Sequence, residues 1–254
     1  EESLRQAKKI LPLLKQLLEA RYVQVQELNS ANPRFYPNLE LMKEILRLVS
    51  SRHLEFFLPP YLSPQHGSLT PYNVLIEPFY YLQTGSLSHF RLVNPAFQAN
   101  DPLFDFAHLI SGMLGHTILA RDQSGHYHFG ISLPQTASEP AILREYVNDE
   151  DMETASLLAL TDDFSEEFSR FFLNPRDDFS GQESENPLGW RIRLLWNHSF
   201  VLAESLPLYR KKSVSVVYES ALRHFYKLLE ILAELGIMDF DSELKNAWES
   251  LSAQ

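Results

Sequence analysis

Three polar motifs in a fixed order constrain this chain more than any other feature. They are His66-Gly67-Ser68-Leu69-Thr70-Pro71-Tyr72-Asn73-Val74-Leu75-Ile76, then Leu92-Val93-Asn94-Pro95, then Asp101-Pro102-Leu103-Phe104-Asp105-Phe106-Ala107. Each joins polar side chains to a short apolar run. Residues 74–76 and 90–93 are β-prone and separated by a turn-rich stretch around Gly85, which predicts a small hairpin. Pro59, Pro60 and Pro64 keep the approach to His66 extended, because a residue that precedes proline avoids helical geometry. Residues 105–119, apolar and carrying the small Ala107, Gly112 and Gly115, read as a buried helix. The layout is therefore helices, a small hairpin at the candidate site, then more helices.

Around this centre the pattern is mainly helical. Residues 3–28 read as an amphipathic helix with Leu4, Ala7, Leu11, Leu14, Leu18 and Val25 on one face, kinked or started late at Pro12. Residues 29–38 read as a loop, and residues 39–52, with Leu41, Met42, Ile45, Leu46 and Val49, as a second helix. The alternation over 126–133 predicts one more strand. Residues 190–208 and 214–235 read as a closing helix pair that stops near Gly236. The expected class is α+β, mainly α-helical, in one domain over residues 1–254.

Charge narrows the partners. The window 136–189 holds 14 Asp/Glu against 3 Arg, which accounts for the whole formal net charge of −11. No basic surplus exists to displace counterions, so nucleic-acid binding through phosphate contacts is not expected. The acidic window reads as a solvated surface insertion, with helices over 152–160 and 164–172 and an exposed loop over 174–187. It offers a contact surface for a basic protein partner. Cysteine is absent, which excludes disulfides, thiolate zinc sites and a cysteine nucleophile. A reducing cytoplasm is the simplest compartment. The first residues do not read as a signal peptide, and no apolar run reaches membrane-spanning length.

The three motifs, in order and spacing, resemble the core of kinase-fold small-molecule phosphotransferases, the group of choline kinases and aminoglycoside phosphotransferases. That core reads H-G-D-x-H-x-x-N-[IV]-L, then [IV]-D-[PWF] on a hairpin, then G-D-P-x-x-D-[LI]-A. The stretch from Phe104 to Gly112 and the later Phe200-Val201-Leu202-Ala203-Glu204-Ser205-Leu206-Pro207-Leu208-Tyr209 look more narrowly like the kinase-like domains of bacterial capsule and surface-polysaccharide loci. The resemblance covers about residues 40–235. It implies a protein-kinase-like C-terminal lobe with a small β-hairpin at the site. The N-terminal lobe is reduced, lost or supplied by a longer chain, because no glycine precedes Gly67 to form a nucleotide-gripping loop.

In a working enzyme of that group, the Asp after His-Gly is the catalytic base, and the Asn and the hairpin Asp hold Mg²⁺ against ATP phosphates. This chain carries Ser68 at the base position and Asn94 at the metal-Asp position, while Asn73 matches the metal-binding Asn. The resemblance thus implies Asn73 and Asn94 as metal and cofactor positions, with Asp101 beside them and Asp101 or Glu77 as a substitute ligand. Asp105 is implied as a brace for the loop and His66 as an internal hydrogen-bonding residue. A neutral hydroxyl is no base near pH 7 without an activator, and loss of a base costs about 10²–10⁴ in rate. The expected function is a pseudokinase-like binding or regulatory module. The alternatives are an active ATP- and Mg²⁺-dependent phosphotransferase on a small hydroxyl compound, or a protein-interaction scaffold that uses the acidic window.

Overall fold

The computed structural model describes residues 11–13, 15–17, 19–26, 32–59, 61–67, 69–77, 82–85, 89–96, 98–101, 103–112, 127–136, 139–147, 187–208 and 214–252. Its architecture is α+β: long helices packed around one small mixed sheet, with two further two-stranded ladders.

The chain enters through helical residues 11–13 and 15–17, then turns at Ala20 and Arg21 into β1 (Tyr22–Gln26) and its antiparallel neighbour β2 (Arg34–Pro37). Both strands correct the sequence reading, which runs the helix to residue 28 and makes 29–38 a loop. In β1, Val23 and Val25 alternate with Tyr22, Gln24 and Gln26, and only the valines are buried. A β-branched, period-two pattern of this kind suits a pleat better than a helix face. Pro37 is tolerated because β2 is a sheet edge.

Asn38 then starts α1 (Leu39–Arg52). Its Oδ1 accepts the Leu41 N–H at 2.8 Å, and its Nδ2 donates to the Ala20 carbonyl. One side chain thus caps the helix and ties it to the turn before β1. The apolar residues of α1 recur at helical spacing, and Leu41, Met42, Ile45, Leu46 and Val49 are all buried, as their periodicity predicts.

The sheet order is β2-β1-β8-β7, where β7 is Tyr127–Ser132 and β8 is Ala141–Val147. β7 is the strand expected over 126–133. β8 pairs antiparallel with β7 and parallel with β1, and it comes from inside the acidic window. Ala141 and Leu143 are fully buried in it, so the reading of 136–189 as a solvated insertion fails at these two residues. A run of Ala-Ile-Leu followed by Arg-Glu-Tyr-Val has enough β-prone apolar content to outweigh the charge around it. Residues 148–186, with the helices and loop expected there, lie outside the described residues.

Three long helices close the core: α4 (Pro187–Ser205), α5 (Val214–Glu234) and α6 (Phe240–Ser252), following a short α2 (Leu54–Phe57) and α3 over residues 104–112. α5 ends as the glycine predicts. Gly236 takes φ 68°, its N–H donates to Ala233 and the Ile237 N–H donates to Leu232, a left-handed C-terminal cap. α6 is an addition to the sequence reading, which closes the fold at Gly236. It packs on α1 through a buried Ala247, an Arg52–Glu243 ion pair of 2.7 Å and a Ser250–Glu44 hydrogen bond of 2.7 Å. Edge-on aromatic pairs join α2 to α4 (Phe57–Trp196) and α4 to α5 (Phe200–Phe225).

Candidate functional site

The three motifs meet on two nested ladders. β3 (Ser63–Gln65) pairs with β6 (Gln98–Asn100), and inside that pair β4 (Val74–Ile76) forms the expected hairpin with β5 (Phe90–Leu92). The outer ladder ends one residue before His66 on one strand and one before Asp101 on the other. The inner ladder follows the 3-10 turn Pro71–Asn73 and leads into Val93 and Asn94. His66 and Asp101 leave the antiparallel outer ladder at opposite ends; pairing Val74 with Leu92 joins the second motif to the first, and the Asp105 side chain joins the third.

Asp105 stands at the start of α3 and reaches back to the loop. Its Oδ2 accepts the His66 N–H at 2.6 Å and its Oδ1 the Gly67 N–H at 2.9 Å. Two charge-assisted bonds to consecutive amides fix the loop backbone where Gly67 turns through φ 78°. His66 is buried; its Nε2 lies 2.9 Å from the Val93 carbonyl and so carries the proton, and its own carbonyl accepts the Ala96 N–H at 2.7 Å. Its Nδ1 is buried and has no hydrogen-bond partner among the described residues.

Asn73 and Asn94 face one another across the inner ladder, with Asn94 Nδ2 donating to Asn73 Oδ1 at 3.4 Å. The Val93 N–H donates to the Asn73 carbonyl at 3.0 Å, which sets the register of that contact. Asn94 is exposed and sits at φ 55°, a left-handed conformation that asparagine tolerates better than most residues. Glu77 is exposed at the end of β4, its N–H bonded to the His89 carbonyl. Ser68 lies outside the described residues.

Asp101 is engaged within the fold. Its Oδ1 accepts the Leu103 N–H at 2.9 Å, capping α3, and its Oδ2 accepts from Arg193 Nε at 2.9 Å in a pair buried on both sides. Both oxygens are committed, so service as a cofactor or metal ligand would leave the Arg193 guanidinium buried and uncompensated. Sequence reasoning misses Arg193. Its signal is a charge inside the apolar run Ile192-Arg193-Leu194-Leu195-Trp196, where a buried helix needs a buried acid opposite it. Next to Asp105, burial pushes the His108 imidazole pKa down, opposed by the charges of Asp105 and Glu204.

A Mg²⁺–nucleotide site fits these residues poorly. Mg²⁺ at phosphates is usually held through one or two carboxylates. Asn73 and Asn94 offer carboxamides only, and turning Asn94 over would present two amide oxygens still without charge. Among the described residues no cluster of three or more His, Asp or Glu is placed to hold a metal, and no helix is long and apolar enough to cross a membrane. No protein-family model, curated protein or solved structure matches this chain.

Proposed function

We propose that this chain is a degenerate phosphotransferase-like C-terminal lobe that acts as a binding or regulatory module and does not transfer phosphoryl groups. One observation carries the reading. The loop brace is complete, with Asp105 on the His66 and Gly67 amides, while the facing Asn73–Asn94 pair has no charge. In this reading His66 and Asp105 hold the loop rigid, Asn73 and Asn94 contribute neutral hydrogen-bonding groups, and Ser68 replaces the base. A positioned hydroxyl without a general base binds an acceptor and does not activate it.

A thermal-shift titration with ATP, with and without Mg²⁺, tests this. A ligand at 100 times its Kd stabilises a fold by about 2.7 kcal/mol, which moves a midpoint by several degrees. The reading expects no Mg²⁺-dependent shift in the natural chain and a shift in the double variant Ser68→Asp/Asn94→Asp. Steady Mg²⁺-dependent ATP turnover by the natural chain, abolished by Asn73→Ala, would overturn it in favour of an active transferase. A double variant that folds yet gains no affinity for Mg²⁺ or nucleotide would remove the phosphotransferase ancestry itself.

A further inference from the structure

Outside the site, α4 and α5 meet through two histidines. The His198 and His224 rings lie edge to face, 4.5 Å between centroids at 74°. His198 is buried, and among the described residues its Nε2 has no hydrogen-bond partner. His224 Nδ1 lies 2.7 Å from the Ser220 carbonyl, so Nδ1 holds the proton and the neutral ring keeps its lone pair on Nε2. A second proton on His198 would place a buried cation against another imidazole, and one on the partly buried His224 would place a cation against the His198 ring.

The surrounding charges do not relieve this. On α5, Arg223 is paired with Glu219 and adds a positive field at His224. On α4, Arg193 is paired with Asp101, and the Glu204 field acts at His108. On α3, Asp105 is bonded to the loop amides. On α1, Glu44 is paired with Arg47, and Glu40 with Lys43. On α2, Glu55 is paired with His53. Among the described residues no carboxylate is bonded to either ring. Burial pushes both pKa values below the ordinary imidazole value, His198 furthest; the His224 ring adds to the effect at His198, and Arg223 adds to it at His224.

α4 also carries Arg193, whose partner Asp101 caps the helix that holds Asp105 on the loop. We propose that the His198–His224 contact is an acid-operated release for the 66–67 loop: protonation parts α4 from α5, Arg193 leaves Asp101, and the loop brace opens. The device does not depend on what the site binds. Above about pH 6.5 both rings are neutral and the closed state keeps its full advantage. As pH falls below that value, the open state takes up protons that the closed state refuses, and the advantage is lost progressively down to the lowered closed-state values. Each histidine then weakens closure by at most about tenfold between pH 7.5 and 5.5, His198 the more, and the pair by at most about 100-fold.

Amide hydrogen exchange at His66 and Gly67, corrected for intrinsic rates and followed from pH 7.5 to 5.5, is the test. The comparison is with His198→Phe/His224→Asn, in which a phenyl keeps the ring contact and an amide keeps the bond to Ser220. Both proteins retain His66 and His108, so the effect of those imidazoles is common to both. The expected result is a loss of protection more than about tenfold and at most about 100-fold greater in the natural chain, with the amides of α1 nearly unchanged. Equal pH dependence in the two proteins, or α1 opening in step with the loop, would overturn the proposal. Each single variant should remove part of the effect, His198→Phe the larger part. If none of the variants folds, ring titration of the natural chain decides: His198 protonating while His66 and Gly67 stay protected also overturns it.

Discussion

The helical core and the nested ladders are held together by different forces. Around α1, α5 and the sheet, side chains such as Leu46, Val49, Tyr218 and Phe225 are fully buried. On the ladders, Tyr72, Leu75, Phe90 and Leu92 are all about half exposed or more. What secures the ladders is instead a short series of polar bonds: Arg193 to Asp101, Asp101 to the start of α3, and Asp105 to the loop amides. Apolar burial is spread over many contacts and gives way gradually. A chain of single charged bonds gives way one link at a time, so the candidate site is separable from the fold beneath it.

Five substitutions sharpen that contrast. Arg193→Met strands the buried Asp101 carboxylate and should cost about 3–5 kcal/mol, read from the denaturant midpoint. Asp101→Asn added to it should recover much of the loss if the stranded charge is the cause. In the core, Leu46→Ala should cost about 2–5 kcal/mol, and its whole effect should appear as global unfolding. Asp105→Asn turns one acceptor oxygen into a donor facing an N–H and should cost about 1–3 kcal/mol. Its signature is local: faster amide exchange at His66 and Gly67 with α1 unchanged. Asn38→Ala removes a helix cap and should cost about 1 kcal/mol, seen as a small fall in melting temperature. If Asp105→Asn and Leu46→Ala speed exchange in the same set of amides, the two regions are one cooperative unit and the contrast fails.

Local patterns are legible in the sequence, and long-range partners are not. α1 and α5 announce themselves through helical spacing and a terminal glycine, and the β4–β5 hairpin through two β-prone runs flanking a turn. β1 merges with the helix before it because Val25 alone continues the Leu11, Leu14 and Leu18 spacing, and the period-two signal runs for only five residues. β8 is hidden by its acidic neighbours, since net charge over a window says nothing of one strand's burial. At the site, the motif residues His66, Asn73, Asn94 and Asp105 are brought together by the structure, while Ser68 stays outside the described residues. Arg193 and the His198–His224 contact depend on how helices dock, which spacing along the chain does not encode.

The parallel pairing of Val23 with Ala141 and Val25 with Leu143 sets an order of events during synthesis. Parallel ladders of such wide sequence separation are slow to form, because the loop between them must close before any contact rewards it. Until residues 141–147 leave the ribosome, β1 has β2 on one side and an open row of amides and carbonyls on the other. At roughly 5–20 residues per second, that interval lasts several seconds or more. A nascent chain of this protein therefore passes through a stage with a sticky strand edge, and a fragment cut short of residue 141 should aggregate where the longer chain does not.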